Sequence, residues 1–392
     1  MRNIIFAVFI FTSSLYAMSL DEVLDKAFEN SPSLEAINER ISASRSAVSR
    51  ADRFSNPQLS YTQDTLDENQ AMSKKTIMIK QKLPYFGKRE TLKKAAQSHE
   101  EVLIKSLDRA KAALSNAIKA QAYSIWEFER IYTIICDYEA LTQQNIDLHA
   151  AYSSMSDNHH MGIMSAELAL SDLQIQKSAL NAKIDAAYAN LSYLAAQEIT
   201  GLEIELHISD MPGLASVKRG LINNPDIAVR EKEVEKAEAK AEVARLNNYP
   251  DVTLTAGYSS RENFDDFATF GVGIVLPVYG REDYEEEEAR RLSLAARNIK
   301  EETALLVKGR IEKAYAQMKS AYETHHIVHD EALPKIEHMF KLTSASISTG
   351  GDLFKYMDIL VKKLKLEQKS IGAIADYNRA YAKILELSGE MR

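Results

Sequence analysis

Between residues 57 and 64 the chain alternates large apolar with small polar side chains, Leu59 and Tyr61 on one parity and Gln58, Ser60 and Thr62 on the other. Period two is the signature of a strand with two unlike faces. Three more stretches, about 75–83, 250–260 and 268–277, read the same way. Ile77 and Ile79, then Val252, Leu254, Ala256 and Tyr258, then Phe270, Val272, Ile274 and Leu276 fall on the apolar face. Thr76, Lys80, Thr253, Thr255, Gly257, Ser259, Thr269, Gly271 and Gly273 fall on the polar one. Elsewhere apolar positions recur at threes and fours. Leu92, Ala96, Leu103, Leu107, Ala110, Leu114 and Ala117 form one helical stripe, and nothing breaks a helix running from Lys88 to about Met155. At 1.5 Å per residue that helix is roughly 100 Å long, too long for a compact core.

The punctuation of these elements is periodic. Six of the eight prolines form the pairs Pro32/Pro225, Pro57/Pro250 and Pro84/Pro277, each separated by 193 residues, and Gly87 and Gly280 keep the interval. Later it shortens to 188, as in Gly201 against Gly389. Proline and glycine fix where elements start and stop, so the spacing predicts one architecture used twice. The expected layout is a signal peptide at 1–17, a first repeat at 18–197, a linker at 198–212 and a second repeat at 213–392. Each repeat runs helix, strand, strand, helix, helix.

Residues 4–11 are uniformly apolar after Arg2, and "SLYA" ends at Ala17, as in a secretory signal peptide. No cysteine stands at that point to take a lipid anchor, and the single Cys136 excludes an internal disulfide framework. Net charge is −8 with both signs interspersed, which disfavours a nucleic-acid partner. No other stretch is apolar enough to cross a bilayer as a helix, so a membrane location would have to rest on the strands. Four strands leave two open edges, and unpaired backbone groups in hydrocarbon cost several kcal/mol each. Two chains would close about eight strands around a filled interior; three would close about twelve around an aqueous lumen.

In these features the chain resembles the TolC family of outer-membrane factors, the exit ducts of efflux pumps and type I secretion systems. The duplicated order, the Asn-x-Pro breaks, the paired "LP-x-x-G" segments at 83–87 and 276–280 and the closing "ADYNRAYAKILELSG" from Ala375 carry the resemblance over nearly the whole mature chain. It implies a mainly α fold with a membrane β-barrel: a homotrimer with a twelve-stranded barrel in the Gram-negative outer membrane on an α-helical tunnel in the periplasm. It also implies a periplasmic adaptor protein and an inner-membrane pump as partners, no cofactor, no enzyme activity, and passive export of small molecules or metal ions. Leu59, Tyr61, Ile77, Ile79, Val252, Leu254, Tyr258, Phe270, Val272, Ile274 and Leu276 would face outer-membrane lipid. Asp358 best matches the family's gate aspartate, with Asp352 as a rival; the second gate position is Val361. Gly162, Ile163, Gly350 and Gly351 would mark the adaptor-docking tip. A type I secretion duct, or a secreted coiled-coil structural or adhesive protein, are the alternatives.

Two histidine groups add a metal question. His159, His160 and Met161, with Met155 and Met164, mix imidazole and thioether in a way that suits soft ions. His325, His326 and His329 share a short helical stretch but lack the HExxH glutamate. Ordinary surface or packing roles are the competing reading for both. Lys88, Arg89, Lys93 and Lys94 lie 193 residues before Arg281, Glu282, Glu286 and Glu287, which predicts a belt of alternating charge below the barrel. Walker, GxSxG and dinucleotide-loop motifs are missing from the sequence.

Overall fold

The computed structural model describes residues 17–64, 73–152, 157–262, 264–347 and 352–390, the side chains of 151, 152, 157–159, 346 and 347 excepted. The expected signal peptide, Ala17 apart, and Gly350 and Gly351 lie outside the described residues. The chain divides into two compact units, one of residues 1–34, 110–222 and 308–392 and one of 35–109 and 223–307.

The first unit is helical. A two-residue strand β1 (Met18–Ser19) opens it, followed by α1 (Leu20–Asn30). Ser19 and Glu22 form a capping box at the start of α1: each side chain accepts the other's backbone N–H, at 3.3 and 2.8 Å. β1 pairs in parallel with β4 (Leu202–Glu203), so the expected linker is tied to the start of the chain. The longer helices are α3 (Lys88–Tyr152, from Ala110 on in this unit), α4 (Asp157–Ala195), α7 (Arg281–His326, from Lys308 on), α8 (Leu333–Ile347) and α9 (Leu353–Leu387). One core gathers Ile135, Tyr138, Leu173, Leu180, Met357 and Leu360; another gathers Val23, Leu24, Ile118, Ile125 and Leu191. Short α5 (Leu214–Arg219) and a 3₁₀ turn (Gly220–Asn223) follow the linker.

The expected unbroken helix of the second half contains a wide, π-helical turn, Ile327–Ala332, before α8. Pro334 has no N–H and its ring would collide with the carbonyl four residues back, so the ordinary ladder cannot pass it. The Leu333 N–H reaches Val328, five residues back, instead. Buried Val307, Ile311, Ala314, Met318, Ala321 and Val328 step along α7 in threes, fours and a seven; the next buried apolar residue, Ile336, comes eight later. The wide turn absorbs that extra residue.

The second unit joins helices to a four-stranded antiparallel sheet. Its helices are α2 (Pro32–Ala51, from Glu35 on), the first part of α3, α6 (Pro225–Asn247) and the first part of α7. Its strands are β2 (Gln58–Gln63), β3 (Lys74–Leu83), β5 (Val252–Arg261) and β6 (Phe264–Ile274), in the order β2-β3-β5-β6. Ion pairs link the helices in the same order: Arg45 to Glu100 (3.1 Å), Lys232 to Glu101 (2.8 Å) and Lys300 to Glu231 (3.1 Å). The stripe expected to be the packing face of α3 is at most half-buried; Ser98 and Val102 are buried instead. Strand β6 starts earlier than the alternation suggests and stops at Ile274, so Leu276 lies past its end. Residues of the expected charge belt have partners within the chain. Lys93 and Arg89 reach Asp52 at 3.0 and 3.9 Å, while Glu287 is taken by Arg290 and Arg291 on its own helix.

Candidate functional site

Strand register settles which side chains share a face. Leu59 stands opposite Ile79, Ile79 opposite Ala256 and Ala256 opposite Phe270; Tyr61, Ile77, Tyr258 and Ala268 form the next row. Gln81, Leu254 and Val272, then Leu83, Val252 and Ile274, complete that face. Apart from Gln81, and from Gln63, Lys75 and Ser260 in the row toward the hairpin ends, it is an apolar surface spanning all four strands. It is also open: Leu59 is 72% exposed, Phe270 82% and Val272 73%. Such a continuous patch marks contact with lipid or protein. The opposite face carries Gln58, Ser60, Thr62, Thr76, Met78, Lys80, Thr253, Thr255, Gly257, Ser259, Thr269, Gly271 and Gly273. Among the described residues, strands β2 and β6 each have one unpaired edge.

Each hairpin returns to a helix through Leu-Pro and a glycine in the left-handed region, Gly87 at φ +83° and Gly280 at φ +67°. Both carbonyls then accept the first helical bonds, from Thr91 and Tyr284. The same turn chemistry serves both because a residue with a Cβ resists that backbone. Asp251, one residue outside β5, ties the first junction together. Its carboxylate accepts from the Tyr85 N–H (3.0 Å), Lys82 (3.0 Å) and Lys88 (3.3 Å). Burial pushes this acid up, but the Tyr85 amide and the two ammonium groups outweigh it and hold the pKa below the usual carboxylate range. Aromatic side chains that alternation does not single out surround the junctions. Phe86 and Tyr279 are each 94% exposed, Tyr284 is exposed, and Tyr85 stacks on Tyr249 at 4.7 Å. The aromatic-glycine ending common to "LPYFG" and "LPVYG" is the signal that could have found them.

At the other candidate region, Asp352 is the N-cap of α9, accepting from the N–H groups of Phe354 (3.0 Å) and Lys355 (3.4 Å). Asp358, further along α9, pairs with Lys362 at 2.7 Å, both exposed. Gly162 and Ile163 lie inside α4, not in a turn; Asp157 starts that helix ahead of them. Gly162 is buried, and a Cβ there would meet Leu353 at 3.2 Å, so its lack of side chain sets how closely α4 and α9 approach. Ile163 packs on the core below. Met161, Met164, Leu168 and Ile175 are all exposed and recur at helical spacing, an apolar stripe on α4. The two methionines that the sequence reading set beside the histidines belong to that exposed stripe.

The side chain of His159 lies outside the described residues, and His160 is exposed. At the wide turn the His325 and His329 rings stack at 5.2 Å, and His326 Nδ1 lies 2.8 Å from Asp330. Burial, then the neighbouring His329 and His326, lower the pKa of His325. Among the described residues no three His, Cys, Asp or Glu side chains converge as a metal site would require. No described helix is long and apolar enough to cross a membrane.

Comparison with known proteins agrees with this geometry. Residues 217–360 match the family model described as outer membrane efflux protein. The chain is 21% identical over 374 residues to the cobalt-zinc-cadmium resistance protein CzcC of Cupriavidus metallidurans, covering 93% of this chain and 87% of that one. Its fold matches the channel-forming protein CusC with a TM-score of 0.81 at 14% identity, over 95% of this chain and 92% of that one. The open-state MtrE outer membrane channel of Neisseria gonorrhoeae gives 0.82 at 14% identity, over 95% and 89%. The outer membrane protein VceC of Vibrio cholerae gives 0.79 at 16%, over 95% and 97%.

Proposed function

We propose that this chain, a member of the outer membrane efflux protein family, is the passive exit duct of a tripartite efflux pump in the outer membrane of a Gram-negative cell. The observation that carries the reading is the four-stranded sheet with one continuous, exposed apolar face and two open edges. In lipid those edges must be paired. Three copies, with β6 of each beside β2 of the next, give about twelve strands and a water-filled lumen, whereas two give a barrel whose interior side chains fill. Leu59, Tyr61, Ile77, Ile79, Val252, Leu254, Tyr258, Phe270, Val272 and Ile274 then face lipid, with Phe86, Tyr279 and Tyr284 at its periplasmic border as an aromatic girdle. On α7, Leu292, Ile299 and Leu306 are exposed at heptad spacing, as a helix awaiting a neighbouring copy would present them.

The helices continue the duct into the periplasm. Its closed end is set by Asp358, and the end of α4 around Gly162 and Ile163, with its Met161 to Ile175 stripe, meets the periplasmic adaptor. An inner-membrane pump supplies the energy, and conduction itself needs no catalytic group. The kinship with a cobalt-zinc-cadmium resistance protein supports metal ions as cargo. Purified chain should run as heat-dissociable trimers from the outer-membrane fraction and conduct ions in planar bilayers. A monomer that stays in solution without detergent, with no conductance, would refute the reading.

A further inference from the structure

The polar face of the sheet holds a charge that nothing above uses. By register, Gln58, Lys80, Thr255 and Gly271 stand side by side across the four strands. The rows on either side are Ser60, Met78, Gly257 and Thr269, and Lys82, Thr253 and Gly273. Two lysines on this face have carboxylate partners: Lys74 has Asp64 at 3.1 Å, and Lys82 shares Asp251 with Lys88, at 3.0 and 3.3 Å. Toward the loop end Arg261 lies beside Asp266, which accepts its backbone N–H at 3.1 Å. Lys80 is exposed and has no ion pair among the described residues. Gln58, Thr255 and Gly271 in its own row are uncharged, Lys82 in the next row is held by Asp251, and Gly257, Gly271 and Gly273 leave the space in front of it open.

We propose that Lys80, contributed once by each copy around the closed barrel, forms a ring of fixed positive charge that makes the lumen selective for anionic solutes. The inference rests on the barrel reading above. A like-charged ring in a water-filled passage with low-dielectric walls concentrates counter-ions and repels co-ions, and rings of lysine or arginine mark anion pathways. The sign is opposite to the chain's net charge of −8, so it is a local feature of this face and not a reflection of composition. Solutes matched to the ring are small organic anions or metal ions carried in anionic complexes; a bare divalent cation meets it unfavourably.

The test is ion selectivity of the reconstituted full-length protein, from the reversal potential under a KCl gradient at about 0.1 M, where the Debye length is about 10 Å. Wild type should prefer chloride by roughly threefold or more, and the preference should shrink near 1 M salt, where screening acts within about 3 Å. Lys80→Gln should bring the ratio close to unity, Lys80→Glu should invert it, and Lys80→Arg should keep it. Trimers that conduct normally but prefer potassium, or whose ratio is unmoved by Lys80→Gln and Lys80→Glu, would overturn the ring while leaving the duct standing. Failure of the wild type to form trimers or to conduct would overturn the barrel reading and the ring with it.

Discussion

Asp251 is where the cost of one substitution can be worked from the structure. Its side chain is 12% exposed and accepts three bonds, from the Tyr85 N–H, Lys82 and Lys88. Lys88 is almost as enclosed, at 14% exposed, whereas Lys82 is 59% exposed. The Lys88 bond therefore counts as a sheltered charged hydrogen bond, worth about 1.5–3 kcal/mol, and the Lys82 pair as a surface pair worth about 0–1 kcal/mol. Tyr85 is partly exposed, so water can replace the carboxylate at its N–H. Asp251→Ala should then destabilise the sheet and helix junction by about 1.5–4 kcal/mol, and Asp251→Asn by about half as much, since one acceptor remains. The pH dependence has a definite sign. The folded-state pKa is lowered, so the contribution is complete above the unfolded value of about 3.9 and fades as pH falls through the lower folded value. Trimer dissociation temperature in detergent, followed from neutral pH to about pH 3, reads both effects. Stability within about 0.5 kcal/mol of wild type for Asp251→Ala, or an acid limb in Asp251→Asn as large as that of the wild type, would refute the reasoning, since Asp52 and Glu242 add acid limbs of their own.

Four other outcomes follow from the same structure. Gly280→Ala should cost about 1–2 kcal/mol in a melt because φ is +67° there, and Gly87→Ala should behave alike. A Cβ on Gly220 would lie 2.4 Å from Ser388 Oγ and 2.9 Å from its Cβ; Gly220→Ala should lose about 1–3 kcal/mol and Ser388→Gly should restore part of it. Val272→Lys, on the apolar face, should lower outer-membrane yield and barrel stability by about 2–4 kcal/mol if that face meets the bilayer midplane. Asp358→Ala should raise basal conductance while leaving the melting temperature within a degree or two, since its pair with Lys362 is exposed.

Much of this architecture was written in local chemistry. The positive φ values of Gly87 and Gly280, and the place of Pro32 and Pro225 as the first residues of α2 and α6, are what the 193-residue spacing pointed to. Strand faces were legible because side-chain parity is a backbone property that no tertiary partner alters. The start of β6 was not. Asp265 and Asp266 read as a polar interval, yet Asp266 accepts from the Tyr258 hydroxyl at 2.5 Å and from the Arg261 N–H, so the strand runs on through them. The basic residues of the proposed belt were legible as charges but not as pairs, because Asp52 and Asp251 come from segments distant in the chain. Asp352, the rival gate candidate, also caps α9, a local role toward the N–H groups of Phe354 and Lys355 that the sequence reading did not assign to it.

The wide turn at Ile327–Ala332 holds one residue more than the heptad needs. Pro334 pins that surplus where it is. One residue more or fewer turns the segment beyond it by about 100° around its own axis, so deletion of a single residue within 327–332 should swing the buried Ile336 out of its core and lower the melting temperature.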